Sequence, residues 1–253
     1  MRIFDAARQI KRSLRKAMFR GSRYYCPICR ASYSRFLDTG NPVRKAVRCP
    51  GCDSLERHRL LWLCLEYLEG KQVLRQCGRM LHVAPEACLT KNWKILYKDY
   101  VTVDLFAQNV KVRADVTELC FPNACFDAIV CNHVLEHVPD DAKALAELYR
   151  SLKPGGWGSI QVPVLGEITQ EDASVTDPAE RLLKFGQSDH VRQYGADFKQ
   201  RLEQAGFIVL EISKTEFLDS EAGQRISAEC ENGVTLVIKP VIENKDPFQE
   251  CKF

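Results

Sequence analysis

No apolar run in this chain approaches the roughly 20 residues needed to cross a bilayer. The longest, Leu60 to Leu65, falls far short. The opening stretch, MRIFDAARQIKRSLRKAMF, is basic and lacks both an apolar signal core and a small-residue cleavage site. A cytoplasmic protein without a transmembrane segment is therefore expected. Without a secretory context, the 12 cysteines have little reason to pair as disulfides. Net charge is only +3, but acids are scarce at one end. Residues 1–48 carry 13 Lys or Arg against Asp5 and Asp38, a balance of +11, so the remainder sums to −8. Such a segment is drawn to phosphate, in nucleic acid or at an anionic membrane surface, or it is an exposed helix whose charges keep it soluble or pair with the acidic body. With 253 residues, 45% hydrophobic and 27% charged, the chain suits one α/β domain plus a small appendage.

Four of the cysteines form a pattern. Cys26-Pro-Ile-Cys29 and Cys49-Pro-Gly-Cys52 are two C-x-x-C turns with 19 residues between them, the spacing of a four-cysteine zinc ribbon. Each turn presents two thiolates to one side, and two such turns surround a tetrahedral ion. With four thiolates no coordination position stays open, so the expected zinc is structural. Metal closure compensates for a segment too small to build its own core. Asp53 and Glu56 then read as a capping box that starts a helix ending near Gly70, with His58 as a surface histidine. Cys64, Cys77, Cys88, Cys120, Cys125, Cys131, Cys230 and Cys251 are scattered, and most read as small core residues.

Cys125 to Val162, CFDAIVCNHVLEHVPDDAKALAELYRSLKPGGWGSIQV, reads as strand, turn, helix and strand. Phe126 to Cys131 is a short apolar run suited to a buried parallel strand. Asp140 and Asp141 favour a helix start. Leu145, Leu148, Tyr149 and Leu152 share one helical face. Pro154, Gly155 and Gly156 stop that helix, and Trp157 to Val162 resumes a strand.

The wording VLEHV-PDD followed by L-x-x-L-KPGG closely resembles the centre of class I S-adenosylmethionine (SAM)-dependent methyltransferases. The resemblance covers about residues 78–240 and implies a Rossmann-like α/β fold, a seven-stranded mostly parallel sheet with helices on both faces. In that family the first strand ends in a Gly-x-Gly turn; here Ala84-Pro85-Glu86 replaces it, and His82 occupies the place of the usual acid. The LH-x-APE wording is similar to a subgroup of the same family. Asp104 ends the next strand, where a carboxylate can accept both ribose hydroxyls. Val112 to Thr117 resembles the element whose Asp, here Asp115, accepts from the adenine amino group. The resemblance thus assigns the cofactor to His82, Ala84, Pro85, Glu86, Asp104, Leu105, Asp115, Val116, Asn132 and His133.

Residues about 164–196 form a polar insertion, where this fold places a lid over the methyl acceptor. Its FGQSDHVRQYG segment resembles a signature of the LH-x-APE subgroup. It also suits a hydrogen-bonded turn tying lid to body. Asp189, His190, Arg192 and Tyr194 are the expected acceptor contacts, and His133 and His190 the candidate bases. Asp197 is expected to cap the next helix, and Phe207–Ile212 and Val234–Ile238 to close the sheet as an antiparallel pair. The domain plan is a basic helix 1–22, zinc ribbon 23–54, connecting helix 55–77 and methyltransferase domain 78–253. The expected reaction moves a methyl group from SAM to an oxygen or nitrogen of a small metabolite or sugar-containing (glycan) acceptor. Two rivals stay open: an RNA methyltransferase gripping RNA through residues 1–48, and a non-catalytic methyltransferase-like interaction module. Oligomeric state is not encoded in any of these patterns.

Overall fold

The computed structural model describes residues 2–40, 42–74, 78–228 and 233–241, with the backbone alone for residues 2–9. Cys77, Cys230, Cys251 and the ends of the planned domains at 1, 77 and 242–253 lie outside the described residues. In chain order the elements are α1 (Arg2–Met18), β1 (Arg20–Cys26), β2 (Ala31–Tyr33), β3 (Leu37–Thr39), β4 (Arg44–Arg48) and α2 (Glu56–Gly70). Then come β5 (Arg79–Val83), α3 (Ala87–Leu96), β6 (Asp99–Asp104), β7 (Val112–Arg113), β8 (Phe126–Asn132), α4 (Asp141–Ser151) and β9 (Leu152–Gln161). The last are β10 (Gln170–Glu171), α5 (Pro178–Phe185), β11 (Arg192–Gln193), α6 (Phe198–Gln204), β12 (Ile208–Ser213), α7 (Ser220–Arg225) and β13 (Gly233–Ile238).

The chain divides into two compact units: residues 1–76, 85–100 and 211–235 form the first, and 77–84, 101–210 and 236–253 the second. In the first, β1 pairs with β2 and β3 with β4, giving two small antiparallel hairpins. Arg59 of α2 is fully buried there, stacked 4.5 Å over the Phe36 ring. It donates to the carbonyls of Ser54 and Val47 and to those of Ile226 and Ser227. One side chain thereby satisfies four buried acceptors and ties α2 to segments far apart in sequence.

The start of α2 differs from expectation. Asp53 does not cap it; the Leu55 N–H donates to His58 Nδ1 at 3.0 Å instead. His58 is correspondingly buried, not at the surface. Asp53 has turned to Arg15 at 2.8 Å and Arg12 at 3.4 Å, because two guanidinium groups outcompete a backbone N–H for its carboxylate.

One seven-stranded sheet runs in the order β12-β13-β9-β8-β5-β6-β7, as the Rossmann-like expectation requires. β5 and β9 pair parallel with β8, β6 pairs parallel with β7, and β13 runs antiparallel to β9. In the second unit, Leu81, Ile129, Cys131, Leu145, Leu148 and Ile160 pack together at 0–1% exposure. Each buried Leu or Ile contributes about 1.5–3 kcal/mol of transfer free energy. Asp140 caps α4 by accepting the Lys143 N–H at 2.9 Å.

Pro154-Gly155-Gly156 does not end α4, which stops at Ser151. The three residues lie inside β9, where the register jumps from Phe126↔Leu152 to Ala128↔Trp157. Gly155, at φ +75°, takes a left-handed conformation that disfavours side chains and donates its N–H to Lys239 at 2.8 Å. The sequence signal marked a break in regularity correctly, but the break is a bulge at a strand start.

Candidate active site

Chain order reverses direction at β5: β6 and β7 follow on one side, β8 and β9 on the other. Open α/β sheets bind ligands outside the carboxyl ends of strands at such a switch point. Ala84 follows β5, and Asn132 and His133 end β8. Ala84 sits at φ +47° and donates its N–H to the Val103 carbonyl at 2.8 Å. An alanine here adopts the backbone that a glycine takes more cheaply, so the turn keeps the sharp bend that the missing glycines would give. His82, in contrast, is fully buried within β5 and does not open on the turn.

Asp104 ends β6. Its Oδ1 accepts the N–H groups of Phe106 and Ala107 at 2.7 and 2.8 Å, which fixes the carboxylate's orientation. Leu105 and Phe106 beside it are 44% and 82% exposed, an apolar patch next to the carboxylate. On the adjacent strand's exit, Asp115 Oδ1 accepts the N–H and hydroxyl of Thr117 at 2.8 and 2.9 Å, while Val116 turns inward and is buried. Asp104 ends β6 and Asp115 follows β7 by two residues, so both lie at the carboxyl ends of neighbouring parallel strands.

At the end of β8, Asn132 is buried and its Oδ1 accepts the Ser159 hydroxyl at 2.9 Å, so its carbonyl oxygen serves the sheet. His133 adopts φ +55° and donates its N–H to Gln161 at 2.7 Å. Its Nδ1 stands 3.4 Å from Glu136 Oε1. The His133 side chain is 26% exposed, so the ring is held at Nδ1 yet reachable from solvent.

The insertion brings several predicted acceptor residues inward. Arg192 is 4% exposed and donates to the carbonyls of Leu135, Val138 and Pro139 and to Glu171. Tyr194 is fully buried, and its hydroxyl donates to Asp141 at 2.7 Å. Both are braces within the fold, with polar groups committed to it. His190 is buried too, with Nδ1 at 3.1 Å from the Phe185 carbonyl, and burial lowers its pKa below the usual histidine value. Asp189 is the exposed member of the four, 3.3 Å from His137. Asp197 stands at the N-cap of α6 as expected, but its side chain serves elsewhere: Oδ1 accepts the N–H and hydroxyl of Thr169 at 2.8 and 2.6 Å. Sequence reasoning missed the Asp141–Tyr194–Arg201 cluster, since its partners stand over fifty residues apart.

Residues 87–160 match the methyltransferase domain family. Over that stretch, which runs from α3 into β9, the chain is similar to methyltransferases. Its relatives are similar over limited stretches. The ubiquinone/menaquinone biosynthesis C-methyltransferase of Brucella anthropi is 32% identical over 146 residues, 51% of this chain and 51% of that protein. The protein of the same name from a Marinomonas species is 51% identical over 49 residues, 19% of this chain and 20% of its own. The chain spans about half the length of the first of these and less of the second. A SAM-dependent methyltransferase from Mesorhizobium loti superposes with a TM-score of 0.48 at 16% identity, over 68% of this chain and 95% of that one.

The first unit holds the four-cysteine cluster. Cys26 Sγ lies 3.5 Å from Cys52 Sγ and Cys29 Sγ 3.7 Å from Cys49 Sγ, and all four sulfurs fall within 4.8 Å of one another. The Ser54 hydroxyl lies 3.3 Å from Cys26 Sγ, and the Gly51 N–H donates to Cys49 Sγ at 3.4 Å. These surrounding donors, and a donor set of four thiols, suit a tetrahedral zinc ion. Burial lowers the pKa of Arg59, which belongs to the same unit as this cluster. Pro85 and Glu86 also belong to this unit, where Glu86 helps line a cavity of about 900 Å³ with Arg12, Arg15, Arg48, Asp53 and His58.

Proposed function

We propose that the protein transfers a methyl group from SAM to an oxygen or nitrogen atom of a small metabolite or sugar-containing acceptor. The observation that carries this reading is Asp104, oriented by two backbone N–H groups at the carboxyl end of its strand. A carboxylate so held accepts from the two ribose hydroxyls, and Leu105 with Phe106 supplies apolar surface for the nucleoside. Asp115 and the backbone at Val116 would receive the adenine edge. Ala84, Asn132 and His133 would flank the methionine end at the switch point, with Pro85 and Glu86 continuing the turn after Ala84.

Methyl transfer is an in-line attack on the sulfonium carbon, so the protein's work is alignment and exclusion of water. SAM supplies the electrophilic methyl. His133, steadied by Glu136, takes the proton that the acceptor loses. Asp189 stands exposed on the acceptor side. Arg192 and Tyr194 support this arrangement by holding the insertion in place. The four-cysteine cluster would hold zinc as a structural ion.

A second reading concerns the atom methylated. The curated relatives are named C-methyltransferases, and a base beside the methyl donor serves an acidic carbon equally well. RNA as acceptor draws support from the basic residues 1–48, although Arg12, Arg15 and Arg48 already converge on Asp53.

The test is calorimetric titration of the full chain with SAM and S-adenosylhomocysteine, beside Asp104→Ala. Micromolar binding that weakens at least tenfold in the variant is the expected result. No heat and no thermal shift with either ligand would overturn the enzymatic reading and favour an interaction module.

A further inference from the structure

A second group of potential ligands stands apart from the cysteines. One nitrogen each of His137 and His190 and a carboxylate oxygen of Glu136 lie within 4.8 Å of one another. We propose that Glu136, His137 and His190 form a binding site for a divalent transition-metal ion of the zinc type.

Three observations carry it. Glu136 is 2% exposed, and its Oε2 has no hydrogen-bond partner although it is buried. A buried carboxylate oxygen without a donor is costly unless something cationic meets it. His190 is 5% exposed, and its Nε2 is likewise buried and without a partner. Both residues with a partnerless buried acceptor thus belong to one cluster of potential ligands, and a cation is what would satisfy them together.

The histidine tautomers fit as well. His190 Nδ1 lies 3.1 Å from the Phe185 carbonyl, which can only accept, so Nδ1 carries the hydrogen and Nε2 keeps its lone pair. His137 Nδ1 lies 3.3 Å from both the Asp189 carbonyl and its carboxylate, so the same logic leaves its Nε2 as donor to a metal. Carbonyl and carboxylate partners on the far nitrogen are the usual orienting arrangement for metal-bound imidazole. The two rings meet edge to face with centroids 4.8 Å apart, close enough to share one ion after small side-chain rotations.

Two imidazoles and one carboxylate make a donor set that leaves a coordination position open. The His137 side chain is 36% exposed and Asp189 68%, which provides a route for the ion and for a ligand at that position. The ion would also link His190, from the insertion, to the turn after β8 that carries Glu136 and His137. Glu136 Oε1 faces His133, so the ion would stand one carboxylate away from the proposed base. Only that last consequence rests on the methyltransferase reading. Metal binding itself does not.

The test uses the full chain purified with zinc, so that the cysteine cluster is already filled, and Co²⁺ as the probe. One further equivalent of Co²⁺ is expected, with visible ligand-field bands but no sulfur-to-cobalt charge transfer. His137→Ala, at a partly exposed position, should weaken that equivalent roughly tenfold or more while leaving the circular dichroism spectrum unchanged. Glu136→Gln should weaken it too and should leave the cysteine-bound zinc in place. Failure to take up Co²⁺ would overturn the proposal. Uptake that His137→Ala and Glu136→Gln do not change, or that shows thiolate charge transfer, would overturn it as well. Neither outcome depends on SAM binding.

Discussion

The Tyr194 hydroxyl donates to Asp141 Oδ2 at 2.7 Å, and Arg201 reaches the same oxygen at 2.9 Å. Asp141 opens α4, the helix between the two central strands, while Tyr194 lies near the end of the insertion and Arg201 follows it in α6. With Arg192 donating to three carbonyls around Leu135 to Pro139, these contacts fix the insertion's return path against the turn that carries His133 and Glu136.

Replacing Tyr194 with Phe should remove one donor from a buried carboxylate and cost about 1–2 kcal/mol of stability. Arg192→Ala strands several buried carbonyls and should cost more, about 3 kcal/mol or above. Chemical denaturation measures both. Loss of acceptor turnover with full stability in Tyr194→Phe would show that the residue contacts substrate directly.

Ion pairs in this network and elsewhere in the fold should make the protein acid-sensitive. Hydrogen bonding from Arg201 holds Glu171 below its ordinary pKa, and Arg150 does the same for Glu147. For Asp197 burial opposes the shift, but hydrogen bonds from Thr169 prevail and lower it. A folded-state pKa below the unfolded one stabilises the protein above the unfolded value, and that stability is lost as pH falls through the folded value. Stability should therefore hold near neutrality and fall below about pH 4, the unfolded carboxylate range. Glu171→Gln with Glu147→Gln should flatten this acid limb in melting curves taken from pH 6 to 3. An unchanged slope would place the acid sensitivity elsewhere.

Much of the architecture was legible in sequence because it rests on local pattern. The apolar run Phe126–Cys131, the Asp140 cap and the face of Leu145 and Leu148 all appear where periodicity put them. The errors share one cause: choice among partners distant in sequence. Asp53, Asp197 and His58 carry ordinary helix-start chemistry, yet arginines, Thr169 and the Leu55 N–H decide their roles. Arg192 and Tyr194 resembled substrate contacts because charge and phenol in a polar loop look alike whether they face a ligand or a buried carbonyl.

Ala84 tests how the turn works without its glycines. At φ +47° an L-residue loses about 1–2 kcal/mol relative to the right-handed form. Ala84→Gly should relieve that cost while adding unfolded-state entropy, leaving stability within about 1 kcal/mol of the parent. Ala84→Val should destabilise measurably and weaken SAM binding in calorimetry. Tight SAM binding by the valine variant would remove Ala84 from the proposed cofactor turn.

Gly51 lets the second cysteine turn close. A Cβ there would stand 1.8 Å from the Tyr33 hydroxyl and 3.3 Å from Cys29 Sγ, and Tyr33 is itself 1% exposed with little room to move. Gly51→Ala should lower zinc content and expose residues 20–54 to proteolysis, as should a strong chelator acting on the parent protein. A chelated protein that keeps its protease resistance would show that the hairpins stand without metal.

His133 supplies the most direct test of the proposed chemistry. Its ring is positioned by a left-handed backbone, by an N–H donated to Gln161 at 2.7 Å, and by Glu136 at 3.4 Å. A general base contributes about 10²–10⁴-fold to rate while binding neither substrate tightly. His133→Ala should thus lower kcat by that range with little change in KM for SAM. Its residual rate should rise with pH as the acceptor deprotonates unaided. Glu136→Gln should lower kcat less, because the imidazole survives and only its orientation loosens. A His133→Ala enzyme with parental kcat would leave alignment alone to drive the transfer, as suits an acceptor that reaches the site already deprotonated.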